Sequence, residues 1–250
     1  MEKKDLIASY AYRYQGNWQQ IKRALEMQED PLPYLIKEKF ITIFDEAYPA
    51  PLMDLQCPPW ILFYQGDISL LKKPMATIVG SRDISEYGRK VTEKAADILK
   101  DRYVLVSGMA KGADACVHER ALNGGHTIGV IGSGLKTCYP KENIRLYEQM
   151  RKSDLILSEF PWNVGIQRYH FPWRNRILAA LGSLTVVTQA RLHSGTMLTV
   201  NEALEMDRDI YCFPYPFGYP EGEGCNKLIA EGAMILYDIS QLKDIARRKI

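Results

Sequence analysis

The sequence predicts a doubly wound, Rossmann-like α/β domain with a mostly parallel sheet, preceded by a small helical segment over residues 1–40. From residue 74 onward, short apolar runs alternate with amphipathic helical patterns. The apolar runs are continuous, as in strands covered on both faces. Hydrophobic residues make up 46% and charged residues 25% of the 250 residues, which is enough apolar material for one large core.

Composition narrows the classes of function. The N-terminus has no apolar signal segment, and the longest uncharged apolar stretch, Ile177 to Ala190, is shorter than the about 20 residues of a membrane span. The five cysteines are scattered and never spaced C-x-x-C, and the four histidines form no ligand pattern. We therefore expect a cytoplasmic protein without a disulfide framework, metal, cofactor or membrane partner.

The first 40 residues read as helices. Leu6, Tyr10 and Tyr14 recur at helical spacing, and Asn17 can cap a second helix that carries Trp18, Ile21 and Leu25 on one face. Asp30–Pro33 interrupts the pattern, and we expect a short helix after it. Seven basic and six acidic residues nearly balance here. This segment is thus a structural appendage rather than a basic nucleic-acid-binding arm, and the main domain is expected to span 41–250.

The main domain includes a proline-rich connector over residues 48–66 that is expected to contain a short strand at Trp60–Tyr64. The strands expected after it are Met75–Val79, Tyr103–Ser107, Thr127–Ile131, Asp154–Ser158, Leu184–Thr188, Asp209–Phe213 and Met234–Tyr237. The helices expected between them include one with Tyr87, Val91, Ala95 and Ile98 on one face, one at Asp114–Leu122 and one at Ile144–Met150.

Parallel α/β sheets bind ligands at the carboxyl ends of their strands. Glycines follow three successive strands of this chain, at Gly80, Gly108 and Gly132, and Arg82 stands close to the first. Glycine lets backbone amides approach a ligand, and helix N-termini favour anions. Single glycines also serve turn geometry, but the three together with an arginine favour a phosphate site.

One sign of charge dominates the segment from Phe160 to Asn201, which contains no Asp or Glu. Its cations include Arg168, Arg174, Arg176 and Arg191. Aromatic residues interleave with the arginines over 168–176, a mixture that suits single-stranded nucleic acid, because cations bind phosphates and rings stack on bases. An alternative interpretation makes Phe171, Trp173 and Ile177 core residues and the arginines a solvated face or a brace that binds backbone carbonyls.

Other polar residues have less specific interpretations. Asp114 is expected to cap its helix, and Glu159 can pair with an arginine and hold it toward the ligand. We expect His118 on a helix surface and His193 on a loop before Ser194. His170 fits a phosphate contact and a structural role equally well.

Six motifs along the chain resemble the DprA (Smf) family of DNA-processing proteins, over about Tyr48 to Tyr237. They are Gly80-Ser81-Arg82 with Tyr87-Gly88, Ser107-Gly108-Met109-Ala110-Lys111-Gly112-Ala113-Asp114, Tyr139-Pro140-Lys141-Glu142-Asn143, His170-Phe171-Pro172 with Arg174-Asn175-Arg176, Ser194-Gly195-Thr196, and Gly224-Cys225-Asn226. Six motifs in the family's order make the resemblance specific.

The resemblance implies a Rossmann-like protein that binds single-stranded DNA, forms homodimers and loads the RecA recombinase during natural transformation. The positions that match the family's DNA-contacting pocket are Gly80, Ser81, Arg82, Lys141, Arg168 and Phe171. Arg174 and Arg176, from the acid-free segment, complete the expected DNA-binding set. Leu228, Ile229 and Ile235 are candidates for the dimer interface, with a core role equally open for each. Many family members carry a C-terminal winged helix, which we expect to be absent here, and the N-terminal segment is shorter than the sterile-alpha-motif-like domain of some relatives.

The competing interpretation is a nucleotide-processing enzyme. Phosphoribohydrolases of the lysine-decarboxylase-like type resemble the chain at Ser194-Gly195-Thr196, but they carry a glutamate where this chain has Thr199, and Glu202 lies one helical turn later. Threonine cannot act as a carboxylate acid or base. Gly129, Gly132 and Gly134 give G-x-x-G-x-G rather than the dinucleotide pattern. The sequence therefore predicts a binding protein and not an enzyme.

Overall fold

The computed structural model describes residues 2–33 and 36–248, within which nine strands form one sheet in the order β1-β2-β6-β5-β4-β3-β7-β8-β9. The strands are β1 (Phe40–Thr42), β2 (Ile61–Gly66), β3 (Met75–Val79), β4 (Val104–Ser107), β5 (Thr127–Ile131), β6 (Leu155–Ser158), β7 (Leu184–Val187), β8 (Asp209–Cys212) and β9 (Met234–Ile235). Strands β3 to β9 pair in parallel, whereas β1 pairs with β2 and β2 with β6 in antiparallel fashion. The predicted Rossmann-like fold is confirmed.

Helices connect most of these strands. They are α1 (Lys3–Arg13), α2 (Trp18–Met27), α3 (Glu86–Leu99), α4 (Ala113–Ala121), α5 (Ile144–Ser153), α6 (His170–Leu181), α7 (Gly195–Glu205), α8 (Glu223–Ala230) and α9 (Ile239–Arg247). Short 3-10 turns lie at Ala50–Asp54, Ile68–Lys72 and Lys141–Asn143.

The strand order reverses beside β3. The chain runs from β3 through β4 and β5 to β6, then α6 crosses back over these strands and β7 pairs with the opposite side of β3. The carboxyl ends of β3 and β7 therefore border a switch point, where doubly wound sheets form a crevice. All residues of β3, β4, β5, β6 and β7 are buried, which explains their continuous apolar runs.

The N-terminal helices pack directly on the sheet. Asn17 Oδ1 accepts a hydrogen bond of 3.0 Å from the Gln20 amide, so the predicted cap of α2 is present. Ile7, Tyr10 and Ile21 share a buried cluster with Phe63 of β2 and Ile156 of β6. Helices α1 and α2, which we call the N-terminal hairpin, thus cover apolar surface of β2 and β6.

Several local predictions differ from the structure. Strand β1 was not foreseen, and the described residues just after Asp30–Pro33 are not helical. On α3, Gly88, Thr92, Ala95, Ala96 and Leu99 are buried, while Tyr87 is exposed. The buried face is therefore displaced from the predicted one, because Gly88 must approach the Gln189 side chain closely.

The predicted surface position of His118 is wrong. His118 is fully buried on α4, and its Nδ1 lies 2.6 Å from the Thr127 hydroxyl of β5. Helix α4 packs on β3, β4 and β5, so this face of the helix points into the domain.

The described part of the chain shows three further features that bear on function. Its cysteines are unpaired thiols, and it contains no group of side chains that could hold a metal ion. None of its helices has the length and apolar character of a membrane span.

Candidate functional site

A cavity of about 680 Å³ opens at the switch point of the sheet. We call it the arginine cavity. Its lining includes Gly80, Ser81, Arg82, Asp83, Asp114, Arg168, Phe171, Arg174, Asn175, Arg191, Ser194, Gly195 and Thr196. The structure thereby brings together six residues of the predicted DNA-binding set: Gly80, Ser81, Arg82, Arg168, Phe171 and Arg174.

The turn after β3 forms one wall of the arginine cavity. A side chain at Gly80 would meet the Thr188 hydroxyl at 2.5 Å and Ala113 Cβ at 2.7 Å, so the turn requires glycine. Ser81 Oγ accepts from the Asp83 amide at 3.1 Å and donates to the Asp83 carbonyl at 2.9 Å. These contacts fix the direction in which Arg82 leaves the sheet.

The N-terminus of α7 forms the opposite wall. Ser194 precedes the helix without capping it, because its hydroxyl donates instead to the Arg191 carbonyl at 2.9 Å. A Cβ placed on Gly195 would meet open space, and Thr196 donates to the Gly80 carbonyl at 3.0 Å. The first amides of an α-helix have no partner within the helix and favour an anion.

Positive charge dominates the lining. Among the described residues, four arginines and two aspartates line the cavity. Arg82 and Arg168 are exposed, while Arg191 lies 3.8 Å from exposed Asp83. Asp114 is buried, and its stronger electrostatic interaction is with Arg174 rather than with exposed Arg82.

Aromatic rings mark the boundary with a smaller cavity of about 70 Å³. The Arg82 guanidinium lies 5.3 Å from the centre of the Phe171 ring, and the centre of the Tyr139 ring lies 5.7 Å from that of Phe171. All three residues line both cavities. The floor of the smaller one is formed by Gly108, Gly132 and Ser133, which follow β4 and β5.

Lys141 lies beside this smaller cavity but lines neither one. It is exposed at the start of the 3-10 turn that follows Pro140. The turn is anchored by Asn143, whose amide donates to the carbonyls of Met109 and Ala110 at 2.9 and 3.1 Å. Glu142 is paired with Lys111.

Arg174 lines the arginine cavity, but it is buried, whereas an arginine that contacts DNA would be exposed. Only 4% of the residue is exposed, and its Nη1 donates to the carbonyls of Gly108, at 2.8 Å, and of Val130. Burial lowers its pKa, whereas Asp114 beside it acts in the opposite direction. Arg174 therefore braces the ends of β4 and β5, the second interpretation left open by the sequence.

Arg176 does not reach the arginine cavity, which corrects its expected position. It is 4% exposed, and its guanidinium donates to Glu159 Oε1 at 2.6 Å, to the Trp173 carbonyl at 2.7 Å and to the Cys57 carbonyl at 3.0 Å. Arg176 is two positions after Arg174, which at 100° per residue directs the two side chains to different sides of α6. Glu159 pairs with an arginine as expected but holds it away from the cavity.

Two further polar residues, His170 and Asp114, are buried and bind the protein's own backbone. His170 is buried, stacks on Phe160 with 3.8 Å between ring centres, and its Nδ1 lies 3.1 Å from the Gly132 carbonyl. Asp114 Oδ2 accepts from the Ala110 amide at 3.2 Å, and burial raises the pKa of this carboxyl. Asp114 thus binds the loop before α4 rather than serving as the residue that precedes the helix.

The carboxylate needed by the enzyme alternative lies elsewhere. Thr199 lines the arginine cavity, whereas Glu202 faces a different cavity of about 540 Å³ together with Glu205 and Trp173. Burial and the neighbouring Glu205 raise the pKa of Glu202. The arginine cavity therefore lacks an acid at the position where the resemblance to phosphoribohydrolases would require one.

Sequence reasoning missed Asn175 and Tyr139 as residues of this site. Asn175 lines the arginine cavity and donates to the Gly195 carbonyl at 3.3 Å, which links α6 to the start of α7. Its place between two arginines was the available signal. Tyr139 stood inside a recognised motif, but only the fold shows that its ring contacts Phe171.

The candidate dimer residues have different surroundings. Leu228 is buried in the main core, and Ile229 is partly buried against it. Ile235, on edge strand β9, is 36% exposed and lines a cavity of about 500 Å³.

Comparisons with known proteins agree with the fold. The family described as "DNA recombination-mediator protein A" matches residues 39–247. A curated relative, "DNA processing protein DprA" of Streptococcus pneumoniae, is 41% identical over 196 residues, which are 78% of this chain and 70% of the relative.

Two solved structures are also similar. The X-ray structure of DprA from Streptococcus pneumoniae has a TM-score of 0.83 at 33% identity. The alignment covers 98% of this chain and 94% of the Streptococcus chain. A structure of DNA processing protein A from Helicobacter pylori, described by its single-stranded DNA binding mode, has a TM-score of 0.76 at 28% identity. The alignment covers 84% of this chain and 96% of the Helicobacter chain.

Proposed function

Because this chain belongs to the DNA recombination-mediator protein A family, we propose that its arginine cavity binds single-stranded DNA. The observation that carries the proposal is the convergence of exposed Arg82 and Arg168 on uncapped amides of α7, beside the ring of Phe171. Guanidinium groups and helix amides bind phosphates, and an adjacent aromatic ring stacks on an unpaired base. The Helicobacter relative, described by its mode of binding single-stranded DNA, supports the same ligand.

The proposed contacts divide into two kinds. Arg82, Arg168 and the amides near Ser81 and Gly195 bind phosphates, and Lys141 extends the positive charge beside Tyr139. Phe171 stacks on a base, since its ring lies at the rim between the two cavities. Arg174 and Arg176 hold the surrounding backbone and are not proposed to touch DNA.

A salt series tests this proposal. If four phosphates are neutralised, the logarithm of the oligo-dT affinity should fall against the logarithm of salt with a slope of about −3, from about 0.7 per phosphate on single strands. Oligo-dT should bind far more tightly than duplex DNA of the same length. Arg82→Ala and Arg168→Ala should each flatten the slope by about 0.7, because each loses one phosphate contact.

Two variants serve as controls in that series. Lys94→Ala removes an exposed charge on α3 outside the cavity and should keep the wild-type slope. Phe171→Ala should weaken binding without changing the slope, since it removes stacking rather than charge. Unchanged slopes in both arginine variants would contradict the proposed site.

The resemblance also supports a role in loading RecA onto the bound strand. RecA-dependent ATP hydrolysis on oligo-dT covered by a single-stranded DNA-binding protein should start sooner when this protein is added. Arg82→Ala should weaken this effect, because the variant holds the strand with one phosphate contact fewer. An equal lag with and without the wild-type protein would contradict the loading role.

The enzyme alternative predicts a different result. A phosphoribohydrolase would release a free base from a nucleoside monophosphate, and this release would depend on Glu202. We propose a binding protein, supported by the position of Glu202 in a cavity other than the arginine cavity. Turnover of AMP in the binding buffer would contradict it.

A further inference from the structure

A second cavity of about 620 Å³ lies on the other side of the start of α6, between that helix and the turn that joins α1 to α2. We call it the hairpin cavity. Its size is typical of ligand sites in proteins. Pro172 lines both the hairpin cavity and the arginine cavity, so the two are neighbours across a single turn of chain.

Helical geometry separates the two cavities. Residues three or four apart share a helix face. Phe171 and Asn175 face the arginine cavity together with Arg168 from the preceding turn, whereas Tyr169 and Trp173 face the hairpin cavity. Arg168, which faces the arginine cavity, is therefore followed directly by Tyr169, whose ring faces the hairpin cavity.

The chemistry of the hairpin cavity differs from that of the arginine cavity. Among the described residues that line it, there is no Lys, Arg, Asp or Glu. Aromatic rings and side-chain amides form most of the wall, including Gln15, Gln167, Trp18 and Trp173. Burial lowers the pKa of His170 and favours its neutral form. A neutral, planar group with hydrogen-bonding edges fits this wall better than a phosphate does.

Tyr169 offers the most open ring of this wall. The ring of Trp173 is covered by Arg176 at 4.1 Å, and that of Trp18 stacks on Trp60 at 5.5 Å. Tyr169 is 69% exposed, and its nearest ring, His170, stands nearly perpendicular to it at 79°. Most of its surface is therefore available for stacking.

We propose that the hairpin cavity binds an unpaired base of the same DNA strand whose phosphates bind Arg82 and Arg168, with Tyr169 as the stacking residue. The strand then crosses the start of α6 at Pro172, with backbone on the charged side and a base on the neutral side. This inference rests on the proposed function, because the arginine cavity supplies the strand.

The test compares Tyr169→Ala with the wild-type protein on oligo-dT. Loss of one stacked base should weaken binding about 5- to 150-fold. The salt slope should stay at the wild-type value, because no phosphate contact is lost. Tyr169→Phe, which keeps the ring, should bind like the wild type. Phe44→Ala should do so as well, because it removes another exposed ring (59%) that lies outside the cavity.

Oligonucleotides with one abasic position provide a second readout. Moving the abasic position along the strand should reveal a position at which the wild type loses affinity and Tyr169→Ala loses none. Affinity of Tyr169→Ala within twofold of the wild type, or a changed salt slope, would overturn the inference. Failure of the proposed function is distinguishable, because it would appear as unchanged salt slopes in Arg82→Ala and Arg168→Ala.

Discussion

Arg82 and Arg174 show how the same residue type takes opposite roles within one site. Arg82 is exposed and rests against the ring of Phe171, so its charge is available to a ligand. Arg174 is buried and binds two carbonyls at the ends of β4 and β5. Gly108 permits this approach, because a side chain there would collide with the Arg174 guanidinium.

The burial of His118 should affect how the free energy of unfolding depends on pH. An unfolded chain protonates histidine near pH 6.5, whereas burial lowers the pKa of His118 in the folded protein to about 3. Between these values the unfolded state binds more protons than the folded state. The free energy of unfolding must therefore decrease as the pH falls from 6.5 toward 3.

Substitution of His118 should reduce this pH dependence. His118→Asn retains a hydrogen-bonding group for Thr127 and removes the titration. Between about pH 6 and pH 4, the free energy of unfolding of the variant should change by about 1.4 kcal/mol less per pH unit than that of the wild type. Urea denaturation at each pH measures it, and equal slopes in the two proteins would be the contradicting result.

At the scale of elements, α6 organises the site. It begins beside the end of β5, crosses the sheet and delivers the chain to β7, so its first turn stands over the switch point. Its start carries residues toward the arginine cavity on one face and toward the hairpin cavity on another. The three residues of the motif His170-Phe171-Pro172 thus have different surroundings. His170 is buried, Phe171 lies at the rim of the arginine cavity, and exposed Pro172 lies between the two cavities.

Element types were predictable because they depend on local patterns, whereas some boundaries and faces were not. The strands β3 to β7 are buried on both faces, and their sequences are apolar runs that predict strands directly. Strand β1 has three residues and exists through pairing with β2, so no local period indicates it. The buried face of α3 depends on where Gln189, about a hundred residues away in sequence, meets Gly88.

At the scale of the whole molecule, a net charge of +2 coexists with a strongly positive cavity. The acid-free stretch 160–201 contributes Arg168, Arg174 and Arg191 to the cavity at the switch point, while Arg82 comes from the turn after β3, much earlier in the sequence. Charge that is diluted along the chain is therefore concentrated by the topology, which raises local affinity for a polyanion.

The far edge of the sheet bears on the proposed homodimer. Ile235 on β9, together with exposed Ile239 and Tyr237, leaves apolar surface uncovered there. Edge strands with such surface tend to pair with another chain. Ile229 is partly buried beside this edge, whereas Leu228 belongs to the core, so Ile235 is the informative position.

Ile235→Lys should convert a dimer into a monomer without unfolding the chain, because the side chain is already partly exposed. Sedimentation equilibrium measures the mass, and thermal unfolding checks the fold. Leu204→Lys places the same charge at an exposed position on α7 and should leave the mass unchanged. A wild-type protein that sediments as a monomer, or an Ile235→Lys variant that stays dimeric, would contradict this interface.

The sequence by itself determined the fold class, the order of strands β2 to β9 along the chain, the six motifs and the excess of arginine over acid in one segment. These properties depend on local periodicity and on residue identity. Tertiary structure alone decided which arginines line the arginine cavity, because Arg174, which lines it, and Arg176, which does not, differ only by their angle around α6 and by the carbonyls and the carboxylate that they meet there. It also decided that the loop after α1 lies opposite Tyr169 and forms a cavity, since contacts between residues so distant in sequence follow from the packing of the hairpin on the sheet.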